Sequence, residues 1–278
     1  MIARATFWQR FCRYPTAIVG LVILVLVMAV AFVGPIVYGG DPWAMVAAPF
    51  IWPGQDPAYP LGSDSMGRDV LSGLIHGARV SLFIGVAATC AAVLIGVLVG
   101  SAAGYFRGLI DDALMRFTEV FQTIPNFLFA IVLVAIFQPS ITVICFAIAV
   151  VSWPPVARLV RGQFLTLRQR AFVESCVVIG MSTPRIIFTQ ILPNCVAPII
   201  VTASIMVATA ILLEAGLSFL GLGDPNVMSW GAMIGFGRQS LRTAWYLAAI
   251  PGIAIQLTVL AISFVGEGLN DALNPRLG

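Results

Sequence analysis

Six stretches of the chain are long apolar runs bounded by polar, proline or glycine clusters: residues 16–38, 80–106, 117–137, 141–156, 196–222 and 244–265. A helix needs about 20 apolar residues to cross the hydrocarbon of a bilayer. Each run is therefore read as one spanning helix. The third and fourth are separated only by Gln138, Pro139 and Ser140, and the fourth is short, with Pro154 and Pro155 near its end. Pro125 in the third run and Pro251 in the sixth are positions where a helix kinks and frees backbone carbonyls. In the second run Ala88, Ala92, Gly96, Gly100 and Gly104 recur every four residues. Small residues on one face let two backbones approach closely in lipid. The stripe reads as a helix–helix seam within the chain, with a subunit interface as the alternative.

Two polar segments are too long to be turns. Residues 39–79 begin with Pro42, Pro49, Pro53, Pro57 and Pro60, a density that favours extended chain. They are expected to form an ordered cap, with a short helix over residues 70–79. Residues 158–195 predict a helix over 164–179, stopped by Gly180. Thr183 then offers an N-cap and Pro184 suits a first helical position, so a second short helix is expected over 184–192, ending at Pro193. Phe172, Val173, Val177, Val178, Ile186, Ile187 and Phe188 give this segment an apolar surface that needs a partner, either the ends of the spans or another protein.

Composition supports the bilayer as solvent. Of 278 residues, 60% are hydrophobic and 10% charged, with a mean hydropathy of +1.00. Soluble domains have about 45–50% apolar and about 25% charged residues. A net charge of +3 is too small to suggest nucleic-acid binding. With the N-terminus inside, Arg4, Arg10, Arg13, Arg107, Arg116, Arg158, Arg161, Arg168, Arg170, Arg185 and Arg276 fall on inner segments. Only Arg68, Arg79, Arg238 and Arg242 fall on outer ones. The bias places both termini in the cytoplasm. A basic start and the triplet Ala29, Val30, Ala31 also fit a cleaved leader, but the run is read as a retained span. Cys90 and Cys145 lie in spans and Cys12, Cys176 and Cys195 at the inner side, so no disulfide is expected.

Candidate chemistry is sparse. All 15 basic residues are arginine, which removes Schiff-base chemistry and the phosphate-cradling lysine of P-loop ATPases. His76 is the one histidine, the cysteines are isolated, and no Gly-x-Ser-x-Gly elbow precedes a helix. No catalytic, cofactor or metal site is expected. Charges in hydrocarbon are costly, so Glu119, within reach of Arg116 one turn earlier, and Glu214 stand out. Hydrogen-bonded packing and proton coupling both account for them. On residues alone the chain is an all-α membrane protein of six transmembrane helices with no engine of its own. A driven transporter subunit, a proton-coupled carrier and a passive structural protein remain open.

Glu174, Ser175, Cys176, then Gly180, then Leu192 and Pro193 resemble the motif of permease subunits of bacterial ABC importers: Glu-Ala-Ala, three residues, Gly, nine residues, Ile-x-Leu-Pro. Ser175 and Cys176 replace the alanines and Gln190 the isoleucine. Three further segments are similar to the C-type permease of dipeptide, oligopeptide and nickel importers. The first is Leu61, Gly62, Ser63, Asp64, Gly67, Arg68 and Asp69, followed by residues 77–82. The second is the run from Glu214 to Gly223 with Trp230 and Gly231 beyond it, and the third is the tail from Asp271 to Arg276.

The resemblance implies the type I importer permease fold, with an N-terminal segment over residues 1–79 and a permease domain over 80–278. It implies half of a translocation pathway in the inner membrane, carrying short peptides or, alternatively, nickel, glutathione or another small solute. The implied partners are a second, different permease, two ATPase subunits and a periplasmic substrate-binding protein. The region of Glu174 to Gly180 would be the coupling helix, between spans four and five, that seats in an ATPase.

Overall fold

The structure, a computed structural model, describes residue 8 and residues 11–273. Arg4, Arg10 and the tail residues 274–276 lie outside the described residues. Nine helices of more than one turn are found among the described residues. They are α1 (Pro15–Val37), α2 (Val70–Phe106), α3 (Gly108–Thr123), α4 (Asn126–Phe137), α5 (Ile141–Leu167), α6 (Ala171–Val178), α7 (Thr183–Phe219), α8 (Trp230–Gly237) and α9 (Tyr246–Leu273).

Helix α2 is the centre of the bundle and packs on α5 along much of its length, with α7, α1 and α8 on its other faces. The small-residue stripe makes that first contact possible. A side chain at Gly96 would come 2.5 Å from Val156 Cβ, one at Gly100 would meet the Ala157 carbonyl, and one at Gly104 would come 2.5 Å from Phe164 Cβ. The stripe is thus a seam within the chain. At 1.5 Å per residue α2 is about 55 Å long, so its ends define two ends of the molecule. The 39–69 loop sits at one, and α6 at the other.

Five helices are long and apolar enough to cross a membrane, and a sixth span exists only if α3 and α4 are taken as one. That pair is bent by 85°, where an uninterrupted span over 117–137 was expected. Pro125 has no N–H to donate, and the residue before a proline is pushed out of helical geometry. Ile124 accordingly adopts φ −94°, ψ 129° and ends α3.

Other boundaries also differ. The expected 70–79 helix and the second span are one helix, because Asp69 caps it (Leu71 N–H to Oδ1, 2.9 Å) and nothing interrupts it before Phe106. Helix α5 continues through Pro154 and Pro155, both within a stretch whose neighbours Trp153, Val156 and Ala157 are buried against α2. The expected 164–179 helix is broken at residues 168–170. Phe164 and Val173 are both buried in one cluster, yet nine residues of straight helix would point them to opposite faces. The turn resolves that conflict. The expected stop at Pro193 is absent. A π-helical turn, Ile186–Ile191, runs straight into the fifth span and shifts the bonding register where proline lacks a donor.

Candidate functional site

The α6 end is built around one corner. Ile179 ends the helix, Gly180 takes φ +76°, the Gly180 N–H bonds the Val177 carbonyl at 3.0 Å and the Met181 N–H bonds the Cys176 carbonyl at 3.0 Å. This is a Schellman motif, and it needs glycine because other residues are strained at positive φ. Nothing lies within 4 Å of where a Gly180 side chain would start, so within the chain the backbone conformation, not crowding, selects glycine.

The apolar surface expected here divides in two. Val173, Ile186 and Ile187 are buried with Phe164, Val160, Ile191 and Cys195, at the junction of α5 and α7. Phe172, Val177, Val178 and Phe188 remain exposed, together with Ile179, and Val178 keeps 86% of its surface free. Glu174 and Ser175 are exposed and Cys176 is half-buried. Helix α6 is therefore anchored on its inner face to the ends of two spans and offers an unpartnered apolar ridge on the outer. Leu192 and Pro193, the far end of the motif, belong to α7 instead; Leu192 packs on the junction cluster, whereas Pro193 is exposed.

At the other end, the loop is ordered as expected, and the residues Gly62, Asp64, Gly67, Arg68 and Asp69 each have a structural task. Gly62 and Gly67 take φ +79° and +77°, with the Ile51 and Ala47 carbonyls where a side chain would be. Asp64 Oδ1 accepts from the N–H groups of Met66 (2.8 Å) and Arg68 (2.9 Å). The Arg68 guanidinium lies 4.6 Å from the Trp43 ring and 5.5 Å from that of Phe236 on α8. Asp69 Oδ2 accepts from the Tyr38 hydroxyl at 2.8 Å. Ser63 is fully buried, donating to the Ala48 carbonyl and accepting from the Ile51 N–H. The Tyr246 hydroxyl, on α9, sits 2.9 Å and 2.8 Å from the Ile51 and Ser63 carbonyls and ties the loop down.

Glu214 is 1% exposed near the end of α7. Its Oε1 accepts from Ser218 (2.8 Å) and from Ser229 (2.6 Å), the residue that caps α8. The carboxylate thus joins α7 to α8, while Trp230 secures α8 to α2 through Ser81 and the Leu74 carbonyl. Glu119 is different. It is exposed on α3 and makes no ion pair with Arg116; both line an open groove with Asp112, Arg158 and Arg161. Sequence reasoning missed the partner of the last. Arg161 on α5 grips Asp111 at the start of α3 through two bonds, of 2.5 and 2.7 Å. Asp111 and Arg161 are fifty residues apart, and no local pattern marks them. The Ser229 partner of Glu214 was not read from the sequence either.

Residues 92–278 match the family described as binding-protein-dependent transport system inner membrane component, and residues 4–61 match the N-terminal TM domain of oligopeptide transport permease C. The chain belongs to the first of these families. It is 38% identical over 277 residues to the di/tripeptide transport system permease protein DppC of Pseudomonas aeruginosa, covering 98% of this chain and 91% of the relative. It is 37% identical to the glutathione transport system permease protein GsiD of Pectobacterium atrosepticum (98% and 90% covered). It is 36% identical to the oligopeptide transport system permease protein OppC of Haemophilus influenzae (98% and 89%). A solved structure of the MetNI methionine ABC transporter in inward-facing conformations matches with a TM-score of 0.61 at 16% identity, over 73% of this chain and 97% of that one. The fold is thus that of a type I importer permease, and the resemblance read from the motifs is borne out. The chain is a multi-pass inner-membrane permease of an ABC importer, a class that works with ATPase and substrate-binding proteins.

Proposed function

We propose that the chain forms half of an inner-membrane pathway for short peptides, paired with a second, different permease, above two ATPase subunits and below a periplasmic substrate-binding protein. The observation that carries this reading is α6: a short helix with an exposed apolar ridge, rigidly anchored to the ends of spans four and five. Such a helix passes a push from below into two spans at once. Glu174, Ser175 and Cys176 belong to the docking helix, Gly180 sets its exit, Leu192 packs at its junction with the fifth span, and Pro193 lies exposed beside it. In this reading both termini and α6 are cytoplasmic and the 39–69 loop is periplasmic, with Gly62, Asp64, Gly67, Arg68 and Asp69 shaping the cap. The boundary between the N-terminal segment, residues 1–79, and the permease domain, residues 80–278, falls inside α2.

The names of the peptide-permease relatives support peptide as cargo, and the glutathione relative supports a second reading, glutathione. Glu119 and Glu214 are assigned no proton-coupling role, since one is exposed and the other locks two helices together. No group here is assigned to catalysis. The test is reconstitution of the chain with its partner subunits in liposomes. Labelled dipeptide is expected to enter only with ATP and loaded binding protein. Uptake by the chain alone under a proton gradient, lost in Glu119→Gln or Glu214→Gln, would replace this reading with a secondary carrier.

A further inference from the structure

Helix α2 carries its own depth scale. Residues 80–106 hold no charge, and an arginine stands at each end of them, Arg79 and Arg107. Arg79 lies within the unbroken helix and Arg107 is its C-cap, so at 1.5 Å per residue the two are about 42 Å apart. A bilayer with its headgroup layers is about 40–45 Å thick. The two arginines therefore mark its two headgroup levels. Their surroundings differ. Arg107 bonds the Leu165 carbonyl at 3.2 Å. Arg79, nearer the 39–69 loop, is exposed and lines a groove of about 510 Å³ whose other walls are all apolar. Phe83 and Val86 follow it on one face of α2, one and two turns deeper. Met28 and Phe32 of α1 form a side wall, and Ile141, the first residue of α5, contributes another. The groove thus runs from headgroup level about 10 Å into the hydrocarbon of one leaflet. Met28, Phe32, Phe83 and Val86 are exposed, so nothing in the chain fills it.

Depth and charge together define the occupant. It presents hydrocarbon to the lower part and an anion at the level of Arg79. A free anion leaves the apolar walls bare. A zwitterionic headgroup brings a cation beside the arginine along with its phosphate. No acidic side chain lines the groove to repel a negative headgroup. We propose that the groove binds a phospholipid of net negative charge, with one acyl chain lying on α2 against α1 and the phosphate paired with Arg79. In the proposed orientation this is an outer-leaflet lipid. A spanning helix of the second permease is the competing occupant, and it would have to bring an acidic side chain to the headgroup level.

The test is photo-cross-linking in nanodiscs that hold the complete permease–ATPase complex. The probes are phosphatidylglycerol and phosphatidylcholine with the same diazirine-bearing acyl chain, at equal low mole fraction. Adducts are mapped by mass spectrometry to Met28, Phe32, Phe83 and Val86. Phosphatidylglycerol is expected to label these residues about fivefold more than phosphatidylcholine. Arg79→Gln should bring that ratio to about one, and Arg79→Lys should keep it. Arg79 makes no ion pair or side-chain hydrogen bond with the described residues, so the complex is expected to assemble in both variants. Arg242→Gln, at an exposed arginine outside the groove, should leave the ratio unchanged. Equal labelling by the two lipids, a preference that survives Arg79→Gln, or an equal fall in Arg242→Gln overturns the site. A photo-reactive amino acid at Phe83 gives a second readout. A lipid adduct is expected there, and an adduct with the second permease would make the groove a protein contact and overturn the lipid site as well.

Discussion

A glutamate in place of Gly180 tests the smallest unit of the account. The position takes φ +76° with open space around it, so any side chain there costs about 1–2 kcal/mol of backbone strain and projects outward beside the ridge. Seating an unmatched polar group against a partner costs about 1–3 kcal/mol more, enough to weaken docking about tenfold. Gly180→Glu is expected to reach the membrane in normal amounts, to lose ATPase subunits on purification and to abolish ATP-driven uptake. Ser182→Glu, two residues on with an exposed side chain that caps nothing, should retain both. Transport by both variants with ATPases bound would remove α6 from the docking role. Gly180 was readable as a helix stop because glycine at such a corner has one conformational meaning.

At the scale of elements, packing overrode what local sequence favoured. The residues of 164–179 hold no breaker, and only the demand that Phe164 and Val173 share one cluster turns the chain between them. Pro154 and Pro193 read as ends, but tight packing on α2 and a π-helical turn carry the helices through. The Ala/Gly stripe was legible because its four-residue spacing is itself the packing geometry. The Asp111–Arg161 bridge was not, since its two halves are joined only by the fold. It fixes the start of α3 to α5, and its strength is measurable. Asp111→Asn and Arg161→Gln should each lower the melting temperature. The double variant should lose less than the sum, with a coupling of about 0.5–3 kcal/mol. Additive losses would mean the bridge does not hold α3.

For the whole molecule, the arrangement of ends carries the function. A loop tied down by Tyr246 and Tyr38 lies at one end of α2, and the exposed apolar ridge of α6 lies about 55 Å away at the other. In the proposed orientation the first end faces the periplasm and the second the cytoplasm. In a cysteine-free background, Ala58→Cys in the exposed loop is expected to react with a membrane-impermeant thiol reagent in intact cells, and Val178→Cys only after permeabilisation. The reverse pattern would invert the topology. Ser63, although in the same loop, is fully buried and cannot report.

The central claim is that α6 seats in an ATPase subunit, and the most direct measurement is a cross-link from its most exposed residue. A photo-reactive amino acid at Val178, 86% exposed, is activated in membranes containing the full complex. The account predicts a covalent adduct with an ATPase subunit, formed in the wild-type background and diminished when Gly180→Glu is added. Adducts confined to lipid, or an ATPase adduct that Gly180→Glu leaves unchanged, would contradict it.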